Sequence, residues 1–248
     1  MLKVLVNGCL GKMGVVLSKC VIEDKDLELV CGVSQNPPCN TPFKVYPRCS
    51  DVKDEVDVII DFSHHLALDD VLSFAVDNKK PLVIATTGYN EEELLKIKEA
   101  SKIIPIFHSS NMSLGINVLL KLVKDATKLL NKFDIEIIEK HHNKKVDAPS
   151  GTALMIADSI KSVLPDLEYN YGRYGRCAKR SECELGIHAV RGGSIVGEHT
   201  TIFAGHDEVV EIKHSAQSKD IFAKGSISAA KYLVNQNPGY YNMDNMLN

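Results

Sequence analysis

The sequence predicts an α/β protein: a Rossmann-like parallel-sheet domain plus a second α+β domain with an open mixed or antiparallel sheet. Three observations predict it. The first part alternates short β-branched runs with helical patterns, the signature of strands joined by crossover helices. Two of those runs, Val56-Asp57-Val58-Ile59-Ile60 and Leu82-Val83-Ile84, are almost continuously apolar, as strands covered on both faces must be. From about residue 186 long strands follow one another without helix between them, the pattern of an open, mostly antiparallel sheet.

In chain order, strands are expected over Leu2–Asn7, Leu27–Val33, 56–61, 81–85 and 103–107, with helices over Lys12–Glu23, 66–78 and 91–101 between them. A long helical pattern runs over 114–130, a strand over 133–138, and a helix to about Val163 after the cap-like Ser150-Gly151-Thr152. A polar, glycine-bearing stretch spans 165–184. Strands over 186–191, 194–203 and 208–215 come next, and Gly192-Gly193 reads as a hairpin turn joining the first two. The final helical pattern, 219–235, is expected to return to the first domain. The implied division is a first domain of residues 1–112 and 220–248, and a second domain of residues 113–219.

The bulk composition narrows the partners. With 248 residues, 44% of them hydrophobic, the chain can bury one sizeable core or two modest ones. A net charge of −3 supplies no basic field for nucleic acid or for an anionic membrane surface. The seven cysteines (Cys9, Cys20, Cys31, Cys39, Cys49, Cys177, Cys183) are odd in number and form no CxxC pair, which argues against a disulfide framework or a metal site. The first residues run straight into a strand pattern without a signal peptide, and no apolar run reaches membrane-spanning length. A cytoplasmic protein with reduced thiols is expected.

Gly8-Cys9-Leu10-Gly11-Lys12-Met13-Gly14 lies between the first strand and the first helix. Glycines three apart permit a tight turn and close approach of a pyrophosphate to the helix start, so this loop is the candidate dinucleotide cradle. The end of the second strand carries Ser34-Gln35-Asn36, with neither an acid to repel a 2′-phosphate nor an arginine to hold one. The choice between NADH and NADPH stays open. Ala85-Thr86-Thr87-Gly88 and Ser109-Ser110-Asn111-Met112 end two further strands, where hydroxyls and amides can orient a nicotinamide carboxamide. His64, His65 and His108 lie near the same edges.

Glu139 to Thr152, EKHHNKKVDAPSGT, packs cationic side chains just before a helix start. Backbone N–H groups and the helix dipole favour a carboxylate there, while His141, His142 and Lys145 add charge and proton donors. The segment reads as a site for a small dianion that also delivers a proton. Arg191 and His188 are expected to be satisfied by local partners.

With these residues assembled, the chain resembles the 4-hydroxy-tetrahydrodipicolinate reductase (dihydrodipicolinate reductase) family over nearly its whole length. The resemblance rests on Val6 to Gly14, Ile84 to Tyr89, Asn111 to Asn117, Glu139 to Thr152 and His188 to His199, with Lys145 to Thr152 the most telling run. It implies NAD(P)H-dependent reduction of a small-molecule dicarboxylate in lysine and diaminopimelate biosynthesis. It also implies that Gly8 to Met13 cradle the pyrophosphate, and that Ala85, Thr86, Thr87 and Ser109 to Met112 hold the nicotinamide side. By the same likeness His142, Gly151 and Thr152 bind a substrate carboxylate beside Ser150, His141 and Lys145 are the acid–base pair, and the family assembles as homotetramers. Two positions depart from the family pattern: Ala85 stands where glycine is usual and Ser34 where an acid is common. The rival readings are a related two-domain dehydrogenase of aspartate-family metabolism and a non-catalytic dinucleotide-sensing regulator. The first would be expected to place a thiol nucleophile in the site, and the second an interaction tail.

Overall fold

The structure is a computed structural model that describes residues 1–247. Two compact units make up the chain: residues 1–114 with 219 onward, and residues 115–218. The first begins with β1 (Leu2–Asn7), α1 (Lys12–Glu23), β2 (Leu27–Val33), β3 (Val45–Tyr46), β4 (Val58–Asp61), α2 (Leu68–Asp77), β5 (Leu82–Ile84), α3 (Glu91–Ala100) and β6 (Pro105–His108). Then follow α4 (Leu114–Leu129), β7 (Asp134–His141), α5 (Gly151–Lys161), β8 (Glu168–Asn170), β9 (Glu184–Arg191), β10 (Gly197–Ala204) and β11 (Val209–Ala216). Finally α6 (Asp220–Leu233), β12 (Gly239–Tyr241) and α7 (Met243–Leu247) complete the first unit.

The first unit's seven strands are ordered β12-β6-β5-β4-β1-β2-β3, all parallel. Alternate residues of each strand feed opposite faces. Val4, Val6, Ile60, Val83 and Phe107 pack with Leu17 and Val21 of α1 and with Ala223, Ile227 and Ala230 of α6. On the other face Leu5, Ile59, Leu82, Ile84 and Ile106 meet Val71, Leu72 and Ala75 of α2 and Ile97 of α3. Each such Val, Leu, Ile or Phe side chain, fully buried, contributes roughly 1.5–3 kcal/mol. Both faces being covered explains why these strands carry no polar alternation.

The second unit's sheet runs β11-β10-β7-β9-β8. β10 is antiparallel to β11 and to β7, whereas β7 and β8 are both parallel to β9, so the sheet is mixed. Ile116, Leu119 and Val123 of α4 and Ile156, Ala157 and Ile160 of α5 cover Ile135, Ile137, Leu185, Ile187 and Phe203. Glu136, between the two buried isoleucines of β7, accepts from Arg173, from Arg180 at 3.2 Å and from His188 at 2.7 Å, tying down the irregular segment between β8 and β9.

Two expectations need correction. Gly192-Gly193 is no hairpin, because β7 lies between β9 and β10 in the sheet. The turn instead carries the chain across the end of β7, with Gly192 N–H donating to His141 O at 2.9 Å and Asn143 N–H to Gly193 O at 3.2 Å. The central strand also extends past 138 and carries His141 as its last residue.

Candidate functional site

In the first unit the strand order reverses between β1 and β4, the place where open α/β sheets bind ligands at their carboxyl edge. Gly8 opens the turn after β1 with φ +78°, and a Cβ there would lie 2.4 Å from Phe62 O. At Gly14 a Cβ would fall 1.9 Å from Gly8 O, so the helix sits directly on the turn. The amides of Gly8 and Cys9 both donate to Val33 O, at 2.9 and 3.2 Å, and Gly11 N–H donates to Gly8 O at 3.0 Å. Those three are therefore spent on shaping the loop. The first-turn amides at Lys12 and Met13 have no intrahelical partner.

The start of α1 suits an anion. Its cap position is Gly11, which supplies no side-chain oxygen, and its first turn holds no acidic residue. By contrast α3 is closed by a complete capping box between Asn90 and Glu93. Leu10 and Lys12 are exposed, while Cys9 is buried, and burial raises its thiol to about 11. The Cys9 side chain belongs to the core, and only its backbone borders the loop.

A residue without an assigned role organises this edge. Asp61, fully buried at the end of β4, accepts from Asn7 Nδ2 at 2.8 Å, Ser63 Oγ at 2.6 Å and Thr86 Oγ1 at 2.7 Å. Burial pushes its carboxyl above the usual range, against the pull of those hydrogen bonds. Thr86 Oγ1 also accepts Ser63 N–H at 2.9 Å, so its hydroxyl ties the end of β5 to the end of β4. Thr87 next to it is exposed. The backbone at Ala85 is paired to Asp61 O at 2.9 Å. Ser109 Oγ donates to Asn111 O at 2.9 Å, Asn111 Oδ1 accepts Ser113 N–H at 3.0 Å, and Ser110 is exposed. Met112 points into the core. Ser34, half-buried, donates its N–H to Tyr46 O at 3.0 Å. His64, His65 and His108 each have a local partner: Leu66 N–H, Glu93 and Tyr240.

In the second unit the end of β7, the start of α5, and β9 and β10 bring together Glu139, His141, Ser150, Arg191 and His199. Glu139 is fully buried. Its Oε1 accepts from Ser150 N–H at 2.9 Å and Arg191 Nη2 at 2.7 Å, and its Oε2 from His141 Nδ1 at 2.6 Å and Arg191 Nη1 at 2.7 Å. Burial opposes its charge, but the bonds from Arg191, His141 and Ser150 outweigh it and hold the carboxyl below the usual range. Arg191 also donates to Asp147 O at 2.7 Å, and Lys145 Nζ pairs with Asp147 Oδ1 at 2.8 Å.

Ser150 caps α5, its Oγ accepting Ala153 N–H at 3.2 Å and lying 2.9 Å from His199 Nε2. It is 2% exposed, and its backbone N–H and hydroxyl are both engaged within the protein. Gly151 does face open space, for a Cβ there would meet nothing within 4 Å. His142 and Lys145 share a turn in which Lys145 N–H donates to His142 O at 3.1 Å. Three members of this cluster, Glu139, Arg191 and His199, had no functional reading from sequence, because they lie on three different strands that only the sheet pairing brings together.

The parallel sheet and its open glycine mouth define a dinucleotide-dependent oxidoreductase. Two family profiles match the chain: dihydrodipicolinate reductase, N-terminus, over residues 2–112, and dihydrodipicolinate reductase, C-terminus, over residues 115–247. The chain belongs to the dihydrodipicolinate reductase family. It is 55% identical over 249 residues to the 4-hydroxy-tetrahydrodipicolinate reductase of Caldanaerobacter subterraneus subsp. tengcongensis, covering 100% of this chain and 98% of that one. To the Clostridium tetani enzyme of the same name it is 51% identical over 250 residues, with the same coverage. A solved dipicolinate-bound dihydrodipicolinate reductase from Paenisporosarcina sp. TG-14 shares the fold, with a TM-score of 0.82 at 23% identity over 98% of this chain and 97% of that one.

Proposed function

We propose that this chain reduces 4-hydroxy-tetrahydrodipicolinate to tetrahydrodipicolinate, with loss of water, using NADH or NADPH, as a step of lysine and diaminopimelate biosynthesis. The observation that carries the reading is the family match across both halves of the chain. Residues 1–112 with 220–248 bind the dinucleotide, and residues 113–219 bind the diacid and mediate oligomerisation. The cradle is the stretch from Gly8 to Met13, with Ala85 to Thr87 and Ser109 to Met112 on the nicotinamide side.

Once the 4-hydroxyl has left as water, a bound nicotinamide would supply a hydride to C4 of the resulting conjugated ring. Negative charge then moves toward the ring nitrogen, where a placed donor lowers the barrier. His141 and Lys145 are the groups that supply this proton. The mouth of α5 at Gly151 and Thr152, with His142 beside it, holds a ring carboxylate so that the reacting carbon is fixed in place. Dipicolinate, the planar diacid bound to the Paenisporosarcina enzyme, fits the same demand for a carboxylate at a helix start.

A homotetramer formed through the second unit is part of this proposal, and the exposed Val190, Val209 and Val210 on β9 and β11 are apolar surface that such an assembly would cover. So are a cytoplasmic location and the lack of any nucleic-acid or membrane partner. Among the described residues no helix is long and apolar enough to cross a membrane, and no group of three or more His, Cys, Asp or Glu is placed to hold a metal. The test is to supply the condensation product of aspartate semialdehyde and pyruvate and to follow NADH and NADPH absorbance separately. Oxidation of either supports the reading; oxidation of neither overturns it.

A further inference from the structure

We infer that Glu139 is a positioning residue: its buried carboxylate fixes His141 with the proton on Nδ1, presents Nε2 as the exchanging nitrogen, and holds that imidazole in register with the anion-binding start of α5. The inference rests on the reductase reading for the substrate, but its geometry lies wholly within the second unit.

The bonding leaves Glu139 no slack. A carboxylate offers about four lone-pair sites, and four donors occupy them: His141 Nδ1 and Arg191 Nη1 on Oε2, Ser150 N–H and Arg191 Nη2 on Oε1. Arg191 cannot release its proton, so the fork supplies a permanent positive charge that keeps the buried acid ionised. An ionised carboxylate only accepts, so the nitrogen 2.6 Å from Oε2 must be the donor. Nε2 is thereby left for chemistry. Next to it stands Gly197, where a Cβ would come within 3.1 Å of Nε2. Glycine keeps that nitrogen uncrowded.

The same carboxylate orders the helix start. Ser150 is the cap of α5, and the third helical residue, Ala153, has no side chain to bond back to the cap amide as a capping-box glutamate does. Glu139, eleven residues earlier, takes that place at 2.9 Å. One side chain therefore anchors both the proton donor and the carboxylate grip, so displacing it shifts them against each other. A plain buried ion pair between Glu139 and Arg191 would need neither the His141 bond nor the Ser150 bond.

The substitution Glu139→Gln separates the two views. Glutamine keeps the size, and its carbonyl can still accept from Ser150 and Arg191, but its amide nitrogen faces His141 as a donor. The imidazole then accepts at Nδ1 and carries its proton on Nε2. In the full chain labelled with nitrogen-15 histidine, with His141→Asn used to assign the signal, neutral His141 is expected as the Nδ1–H tautomer and the Glu139→Gln variant as the Nε2–H tautomer. Turnover of the variant is expected to fall by about 100-fold, the scale of lost orienting partners, with KM for NADH unchanged within about twofold. Finding Nε2–H in the unaltered chain overturns the inference, as does a folded Glu139→Gln variant with unchanged tautomer and kcat. Should that variant not fold, the spectrum of the unaltered chain still decides. Nδ1–H in a chain that oxidises neither cofactor with the substrate would overturn the reductase reading and leave the tautomer standing.

Discussion

Asn7 at the end of β1 donates its side-chain amide to Asp61 at the end of β4, 2.8 Å away, across the point where the strand order reverses. Asp61 also gathers Ser63 and Thr86, so a single buried carboxylate ties together the ends of β1, β4 and β5 beside the glycine loop. Replacing Asp61 with alanine strands three side-chain donors at once. With about 1–3 kcal/mol for each buried donor left unpaired, a loss of about 3 kcal/mol or more is expected. Asp61→Asn keeps one acceptor and turns the other atom into a donor that the Thr86 hydroxyl can accept, so its loss is smaller. Urea unfolding of the pair checks this, and equal midpoints for the two variants would refute it.

The glycine loop yields a graded series. At Gly14 a methyl group would sit 1.9 Å from Gly8 O and 2.7 Å from Cys9 Cα, both backbone atoms that cannot move aside cheaply. At Gly11 the nearest atom is Gly8 O at 3.2 Å, which a small shift relieves. Gly14→Ala is therefore expected to weaken NADH binding by about 100-fold or to prevent folding, and Gly11→Ala by about tenfold or less, at about 1.4 kcal/mol per tenfold. Fluorescence titration with NADH ranks them, and a Gly14→Ala variant that binds as the parent does would sink the packing argument.

The parts of this molecule that could be read from its sequence are those whose cause is local. The turn from Gly8 to Gly14 is dictated by what fits within seven residues, and the strands of the first unit by two covered faces. Ser150 announced itself as a cap, although its commitment to His199 could not be seen. What escaped was convergence. Glu139 and Arg191 are 52 positions apart and Ser150 and His199 are 49 apart, and only the insertion of β7 between β9 and β10 makes them neighbours. That insertion also defeated the hairpin expectation at Gly192-Gly193, since two glycines say that the chain turns and not which strand it lands beside. Strands β3, β8 and β12 are two or three residues long, too short to carry a period, and exist through pairing alone.

His199 supplies a pH dependence. Burial, against a smaller opposing pull from the Glu139 carboxylate, lowers its imidazole to about 4. An unfolded histidine titrates near 6.5, so between these values the unfolded chain takes up a proton that the native chain refuses. Stability from this residue is complete above about pH 6.5 and is lost as the pH falls toward 4, by about 3 kcal/mol in all. His199→Gln cannot titrate and should lose less stability between about pH 7 and pH 4.5, by about 2 kcal/mol. Urea midpoints at a series of pH values decide it: parallel curves for parent and variant would show that His199 is not the group responsible.

Ser34 is the position at which cofactor preference can be tested. Its backbone N–H is tied to Tyr46 O at 3.0 Å, which fixes the end of β2, where acids that select NADH commonly stand. Neither Ser34 nor its neighbours Gln35 and Asn36 carries a charge, so nothing at this strand end repels a 2′-phosphate and nothing there grips one. The expected outcome is use of both cofactors, with kcat/KM values within about tenfold of each other, or about 1.4 kcal/mol. Ser34→Asp places a carboxylate where it opposes the 2′-phosphate and accepts from the ribose hydroxyls of NADH. A like charge a few ångströms away in a partly screened site costs at least about 1.4 kcal/mol, so NADPH should lose about tenfold or more while NADH holds or improves. Initial rates with both cofactors on both proteins measure this. A parent enzyme that prefers one cofactor by far more than about tenfold would mean that some other group, not the end of β2, reads the 2′ position.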